Sequence, residues 1–123
     1  MDWLGIIGTH VLWKKRLIAL LDGTSQETLE PAAIGVDNKC ALGKWIYGEG
    51  HSYADAASYE IVRAMHADFH RMAANVVGLY QVGKKAEAEH LLHQDYSRLS
   101  EKLKHKILAL SHEVKSRQTT PLF

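Results

Sequence analysis

The chain has 123 residues and a mass of 13.8 kDa, which suits a single domain spanning residues 1–123. Apolar residues make up 46% of the sequence and charged residues 24%, a balance that excludes a disordered tail. Lys and Arg number 15 and Asp and Glu 14, so the formal net charge is only +1. A surface that binds nucleic acid by neutralising phosphates needs a larger excess of Lys and Arg. We therefore expect no nucleic-acid partner.

The sequence lacks the features of a membrane span or a signal peptide. The longest apolar runs, such as residues 107–110, are far shorter than the roughly 20 residues that cross a bilayer. The chain begins with an acid at Asp2, and the basic residues 14–16 follow the first apolar stretch instead of preceding it. With a single cysteine, an intramolecular disulfide is excluded. We therefore expect a cytoplasmic protein with no membrane partner.

The apolar pattern predicts an all-α fold, a four-helix bundle with a short Cys-bearing helix. The first helix is predicted over residues 3–21, where apolar side chains recur every three or four positions and Gly23 follows as a C-terminal cap. His10 lies in the middle of its apolar face. Residues 24–37 are predicted to form a connection, with a helical turn near residues 26–29.

A short helix is predicted over residues 38–47, ended by the glycines at 48 and 50. Either Asp37 or Asn38 is a suitable N-cap. Cys40 then falls in the first turn, where the helix dipole and free backbone amides favour a thiolate.

The third predicted helix starts between residues 52 and 54 and ends at Gly83. His66 and His70 are four positions apart on its apolar face, so their side chains project from one side, one above the other.

The fourth predicted helix follows Gly83 and runs to Lys115, leaving residues 116–123 as a frayed end or a linker. The third and fourth helices are each about 40 Å long or more at roughly 1.5 Å per residue. The first helix is too short to cover both apolar faces. A second copy of the chain is the simplest cover, which predicts a homodimer.

Three histidines on predicted inward faces and one cysteine at a helix start form a set of potential metal ligands: His10, Cys40, His66 and His70. Zinc in structural sites takes four N or S ligands in a tetrahedron, and a His pair four residues apart supplies two of them from one turn. One thiolate and three neutral imidazoles leave the metal centre with a net charge of about +1, which the interior of a bundle tolerates. Because no ligand position is left for water, the predicted site is closed and not hydrolytic.

A plainer interpretation of these residues stays open. A histidine on an apolar stripe is often a hydrogen-bonded core residue, and a free cysteine is often a small buried hydrophobe. The coincidence of three inward histidines with the only cysteine nevertheless favours a metal site. The other histidines are predicted to lie in loops, at the stripe's edge or in solvent: His51, His90, His93, His105 and His112.

Three sequence blocks occur here in the order typical of a known family. They are His10-Val-Leu-Trp13, Cys40-Ala-Leu-Gly43-Lys-Trp45 and His66-Ala-Asp-Phe-His70. In these blocks the sequence resembles the chemoreceptor zinc-binding (CZB) domain family, and we expect the resemblance to cover nearly the whole chain. The resemblance implies a cytoplasmic four-helix-bundle homodimer that binds one Zn²⁺ per chain through His10, Cys40, His66 and His70.

The resemblance also implies a regulatory function in bacterial signal transduction. CZB domains act in cis or in trans on an output module, such as a chemoreceptor or a diguanylate cyclase. Zinc occupancy, or oxidation of the zinc-bound Cys40 by oxidants such as hypochlorous acid, would change that output. Oxidation removes the anionic ligand, so the Cys-bearing helix, which we expect to be held by few other contacts, would detach. Side chains predicted to pack around the site are Trp13, Leu42, Gly43 and Trp45.

Two other functions are weighed against this one. The first is a purely structural zinc site that staples a dimerisation bundle without switching. The second is an enzyme, but a di-iron centre needs paired Glu-x-x-His motifs, which the sequence lacks, and no general base accompanies the zinc ligands. We therefore expect a protein that is not an enzyme.

Overall fold

The computed structural model describes residues 1–118 and is all-helical over that range, which confirms the predicted fold class. The helices are α1 (Trp3–Leu21), α2 (Pro31–Ile34), α3 (Ala41–Tyr47), α4 (Tyr59–Gln81), α5 (Lys85–Leu91) and α6 (Ser97–Gln118). A 3₁₀ turn (Glu49–Tyr53) follows α3, and a π turn (Leu92–Tyr96) joins α5 to α6. Residues 119–123, part of the predicted tail, lie outside the described range. None of the described helices has the length and apolarity needed to cross a membrane.

Helix α1 has the predicted bounds because both of its ends carry local signals. At its start the Asp2 carboxylate accepts a hydrogen bond from the Gly5 backbone N–H at 2.9 Å, which caps a free amide. After its end, Gly23 takes a φ of 76°, a left-handed conformation that glycine adopts without strain.

The connection after α1 differs from the prediction. The helical turn expected near residues 26–29 is wrong, and a turn forms instead at Pro31–Ile34, where proline occupies the first helical position. Helix α3 begins at Ala41 and not at residue 38. Its N-cap is Cys40, so neither Asp37 nor Asn38 caps it.

Helix α4 begins later than the predicted residues 52–54. The Ser58 backbone N–H, one residue before the helix, donates to the Glu113 carboxylate of α6 at 3.2 Å. This contact joins residues 55 positions apart in sequence, which a local pattern does not show.

The predicted fourth helix is a continuous rod made of α5, the π turn and α6, and it extends three residues beyond Lys115 to Gln118. The π turn inserts an extra residue, and Leu92 and Tyr96 are both fully buried. The Tyr96 ring packs against Phe69 of α4 at a centroid distance of 5.1 Å.

The core lies where α1, α4 and the α5–α6 rod pack on one another, with α2 and α3 against α4. Its fully buried apolar side chains include Leu17, Ile46, Val62, Val76, Val77, Leu92, Ile107 and Leu110. His10, His66 and His70 are buried within this layer. The bundle thus holds three imidazole rings in a largely apolar interior. Burying polar groups there is unfavourable unless they have partners.

Candidate metal centre

Four side chains converge at one point between α1, α3 and α4. His10 comes from α1, His66 and His70 come from α4, and Cys40 precedes α3. One potential ligand atom from each residue lies within 4.8 Å of the other three, so the group could hold a metal ion. The structure therefore brings together the four residues that the sequence singled out.

Three of the four ligand atoms are already spaced like a tetrahedral ligand set. The Cys40 Sγ lies 3.2 Å from His66 Nε2 and 3.6 Å from His70 Nε2, and the two Nε2 atoms are 3.0 Å apart. Zinc at the usual bond lengths separates its nitrogen ligands by about 3.3 Å and nitrogen from sulfur by about 3.6 Å. Only small shifts would fit these atoms around one ion.

Backbone carbonyls orient two of the rings. The Nδ1 atoms of His10 and His70 lie 2.8 Å from the Ile6 carbonyl and 2.9 Å from the Ile34 carbonyl. Because a carbonyl oxygen only accepts hydrogen bonds, Nδ1 of each ring carries the proton. The Nε2 of each ring therefore has a free lone pair that can bind a metal ion. The contribution of Ile34 was not predicted, since it depends on where α2 docks.

Burial keeps the three imidazoles neutral. Burial lowers the pKa of His10 and His70, and it lowers the pKa of His66 to about 3 with further help from the neighbouring histidines. Neutral imidazole is the form that binds a metal ion. The buried Nδ1 of His66 has no hydrogen-bond partner among residues 1–118.

The Cys40 sulfur behaves differently from the sequence-based expectation. The Gly43 N–H does lie 3.4 Å from Sγ, as a helix start provides. Burial nevertheless outweighs this donor and raises the pKa of the Cys40 thiol, so the expected helix-start thiolate is wrong for the protein alone. A coordinated divalent cation deprotonates a thiol outright. Three neutral nitrogens and one soft sulfur thus fit Zn²⁺.

Position 43 requires glycine because the backbone of another residue approaches it closely. A Cβ atom at this position would lie 1.8 Å from the Asp37 carbonyl oxygen and 2.8 Å from its carbonyl carbon. Only glycine allows the segment before Cys40 to fold back over the first turn of α3. Gly43 therefore supports the position of the sulfur.

The two predicted packing tryptophans lie in different surroundings. Trp13 is half-buried, and the Arg16 guanidinium lies 3.8 Å above its ring. Trp45 is buried against Trp3 at 4.9 Å, and it stacks on Tyr53. Among the described residues, no ligand histidine is in ring contact with Trp45, so this side chain anchors α3.

Helix α3 is held more firmly than the sequence suggested. Leu42 is 1% exposed and Ile46 is fully buried, and the Tyr59 hydroxyl donates to the Ile46 carbonyl. The Tyr47 hydroxyl also donates to the Asp37 carboxylate at 2.5 Å. The expectation that few contacts besides the metal hold this helix is therefore wrong.

Comparison with known protein families agrees with this geometry. The sequence model of the chemoreceptor zinc-binding domain family matches residues 10–77, more than half of the chain and all four clustered residues. The chain belongs to this family. It is a zinc-binding domain of signal transduction, from a family of regulatory sensors that occur in chemoreceptors and cyclases. No curated protein and no solved structure matches the chain significantly.

The close approach at Gly43 gives a test of this architecture. In Gly43→Ala, the new methyl group displaces the segment that carries Cys40, so we expect zinc affinity to fall by about tenfold or more. The measurement is competition with a chromogenic chelator, together with circular dichroism.

Gly78→Ala is the matched control, because a Cβ there meets nothing within 4 Å. It should bind zinc like the wild type. Equal affinities for the two variants would show that the approach to Asp37 does not position the sulfur.

Proposed function

We propose that residues 1–123 form a single cytoplasmic sensor domain in which His10, Cys40, His66 and His70 hold one Zn²⁺. The state of the Cys40 sulfur sets the output. The observation that supports this proposal is that the histidines and the cysteine lie on structural elements of different kinds. The histidines belong to the long helices α1 and α4, whereas Cys40 ends a partly exposed connection. The sulfur could therefore leave while the imidazoles stay in place.

The chemistry of sensing follows from the thiolate. Zinc, when bound, would keep the Cys40 sulfur ionised despite its burial. An ionised sulfur reacts with oxidants, whereas a protonated one reacts slowly. With hypochlorous acid, an S–O bond forms, the O–Cl bond breaks and chloride leaves, so the sulfur loses two electrons and becomes a sulfenic acid. The product is no longer an anionic ligand.

The moving part is smaller than the whole Cys-bearing helix. Leu42 and Ile46 are buried in the core, so they resist detachment of α3. Asn38 and Lys39 are exposed, and Cys40 is only half-buried. We infer that oxidation releases residues 38–40, while α3 remains docked through Leu42 and Ile46.

The second candidate is a structural zinc staple without switching. The firm anchoring of Leu42 and Ile46 is the observation that favours it. In that case, oxidation of Cys40 would leave the surrounding backbone unchanged, or it would loosen the whole bundle together.

Hydrogen exchange measured by mass spectrometry separates the two functions. After treatment of the zinc-loaded protein with hypochlorous acid, we expect faster exchange in peptides covering residues 37–42 and unchanged exchange in α4. Cys40→Ala, treated identically, controls for oxidation elsewhere. Unchanged exchange at residues 37–42, with Cys40 demonstrably oxidised, would contradict the sensor proposal.

The proposed domain is not an enzyme. Four protein ligands complete a tetrahedron around zinc, which leaves no position for a substrate or a reactive water. Because domains of this family occur in chemoreceptors and cyclases, we propose a signalling output module of one of these types as its partner, in cis or in trans. The net charge of +1 gives no support to a nucleic-acid partner.

We also propose that the protein is a homodimer formed through the outer face of α1. Leu4 is 78% exposed on this face, and Val11 and Leu12 are 45% and 53% exposed. A Cβ at Gly8, between them, would meet nothing within 4 Å, so a second helix backbone can approach closely there. The occupant is the same face of a second copy, since a two-fold axis pairs a patch with itself.

Sedimentation velocity tests this interface. The double variant Leu4→Glu/Leu12→Glu places charges against each other across the two-fold axis, and we expect it to sediment as a monomer with wild-type helical content. Val82→Glu is the control, because Val82 is 70% exposed at the far end of α4 and should leave the dimer intact. A wild-type monomer, or a double variant that still dimerises, contradicts the proposal.

A further inference from the structure

A cavity of about 370 Å³ opens to the surface beside the candidate metal centre. Cys40 and His70 contribute to its lining, so it joins the metal centre to solvent. Its walls are largely apolar and include Leu29, Ala33 and Ile34. A cavity of this size holds small molecules, and it reaches the one cysteine of the chain.

A stacked pair of side chains forms part of the cavity lining. Trp13 lines the cavity, and the Arg16 guanidinium lies 3.8 Å above its ring. Arg16 is held in turn by Glu27, whose carboxylate accepts two hydrogen bonds from Nε and one from Nη2, the last at 2.6 Å. This ion pair holds the Arg16 guanidinium over the Trp13 ring.

The charges around the opening cancel. Glu27 neutralises Arg16, and the other charged lining residues, Lys39 and Glu30, have opposite signs. The other side chains that line the cavity therefore supply no net charge to attract an ion, while the apolar walls disfavour any charged solute.

We propose that this cavity is the access route by which small uncharged molecules reach the Cys40 sulfur, with Trp13 and Ala33 setting its width. The inference deepens the proposed function, since it names the path and the class of molecule that the sensor admits. The route itself does not depend on whether oxidation switches the domain.

Alkylation of Cys40 by iodoacetamide tests the route directly. The sulfur attacks the reagent's methylene carbon, a C–S bond forms, the C–I bond breaks and iodide leaves. Because the chain has one cysteine, the modified fraction of zinc-loaded protein is read from the intact mass. The same measurement on chelator-treated protein reports access to the sulfur without zinc.

Two neighbouring alanines of α2 provide matched variants. Ala33 lines the cavity and Ala32 does not, although both are exposed. We expect Ala33→Leu to slow alkylation about tenfold, because access to a sulfur limits its reaction, and Ala32→Leu to react at the wild-type rate. Trp13→Ala should accelerate the reaction by opening the wall. Equal rates in all four proteins would overturn the access route.

Iodoacetate, an anionic reagent of similar size, tests the class of molecule. Relative to free cysteine, we expect it to react more slowly with Cys40 than iodoacetamide does. Equal relative rates would overturn the selectivity for uncharged molecules. If Ala33→Leu slows alkylation but oxidation leaves exchange at residues 37–42 unchanged, the sensor proposal fails and the access route stands.

Discussion

The structure depends on the burial of three imidazoles beside one sulfur in the interior of a helical bundle. Burial holds His10, His66 and His70 neutral and the Cys40 thiol protonated, so the protein alone keeps four polar groups in an apolar layer. Burying these polar groups is unfavourable. A bound divalent cation would stabilise them, since the lone pairs of the three imidazoles and the sulfur would then coordinate it. The cluster joins α1, which carries His10, to α4, which carries His66 and His70.

The same constraint explains why the short elements matter. Helix α2 contributes the Ile34 carbonyl that fixes the His70 ring, and Gly43 lets residues 37–40 fold against α3. Neither feature adds a ligand, but each determines where a ligand atom lies. Ile46 is fully buried, whereas Cys40 is only half-buried, so the core holds α3 more firmly than it holds the sulfur. In the proposed function, a local change at the sulfur alters the segment that carries it without unfolding the bundle.

Local sequence patterns predicted what depends on helical periodicity. Apolar spacing predicted the bounds of α1 and the shared face of His66 and His70. Together with the family blocks, it also predicted that the three histidines cluster with Cys40. Features set by distant contacts were missed. At the start of α4, the Ser58 backbone N–H donates to Glu113 of the distant α6. The raised pKa of the Cys40 thiol comes from its burial, which its position at a helix start does not reveal. The π turn at Leu92–Tyr96 was also missed, since the apolar pattern of its sequence is almost the same as that of a regular α-helix.

The metal content of each chain shows whether these four side chains hold one zinc ion. Inductively coupled plasma mass spectrometry of purified protein should find one zinc per chain in the wild type and in His105→Ala, which alters an exposed histidine. Cys40→Ala and His66→Ala should each lose most of their zinc during dialysis against a mild chelator, because three ligands bind less tightly than four. Equal zinc retention in all four proteins would contradict the account.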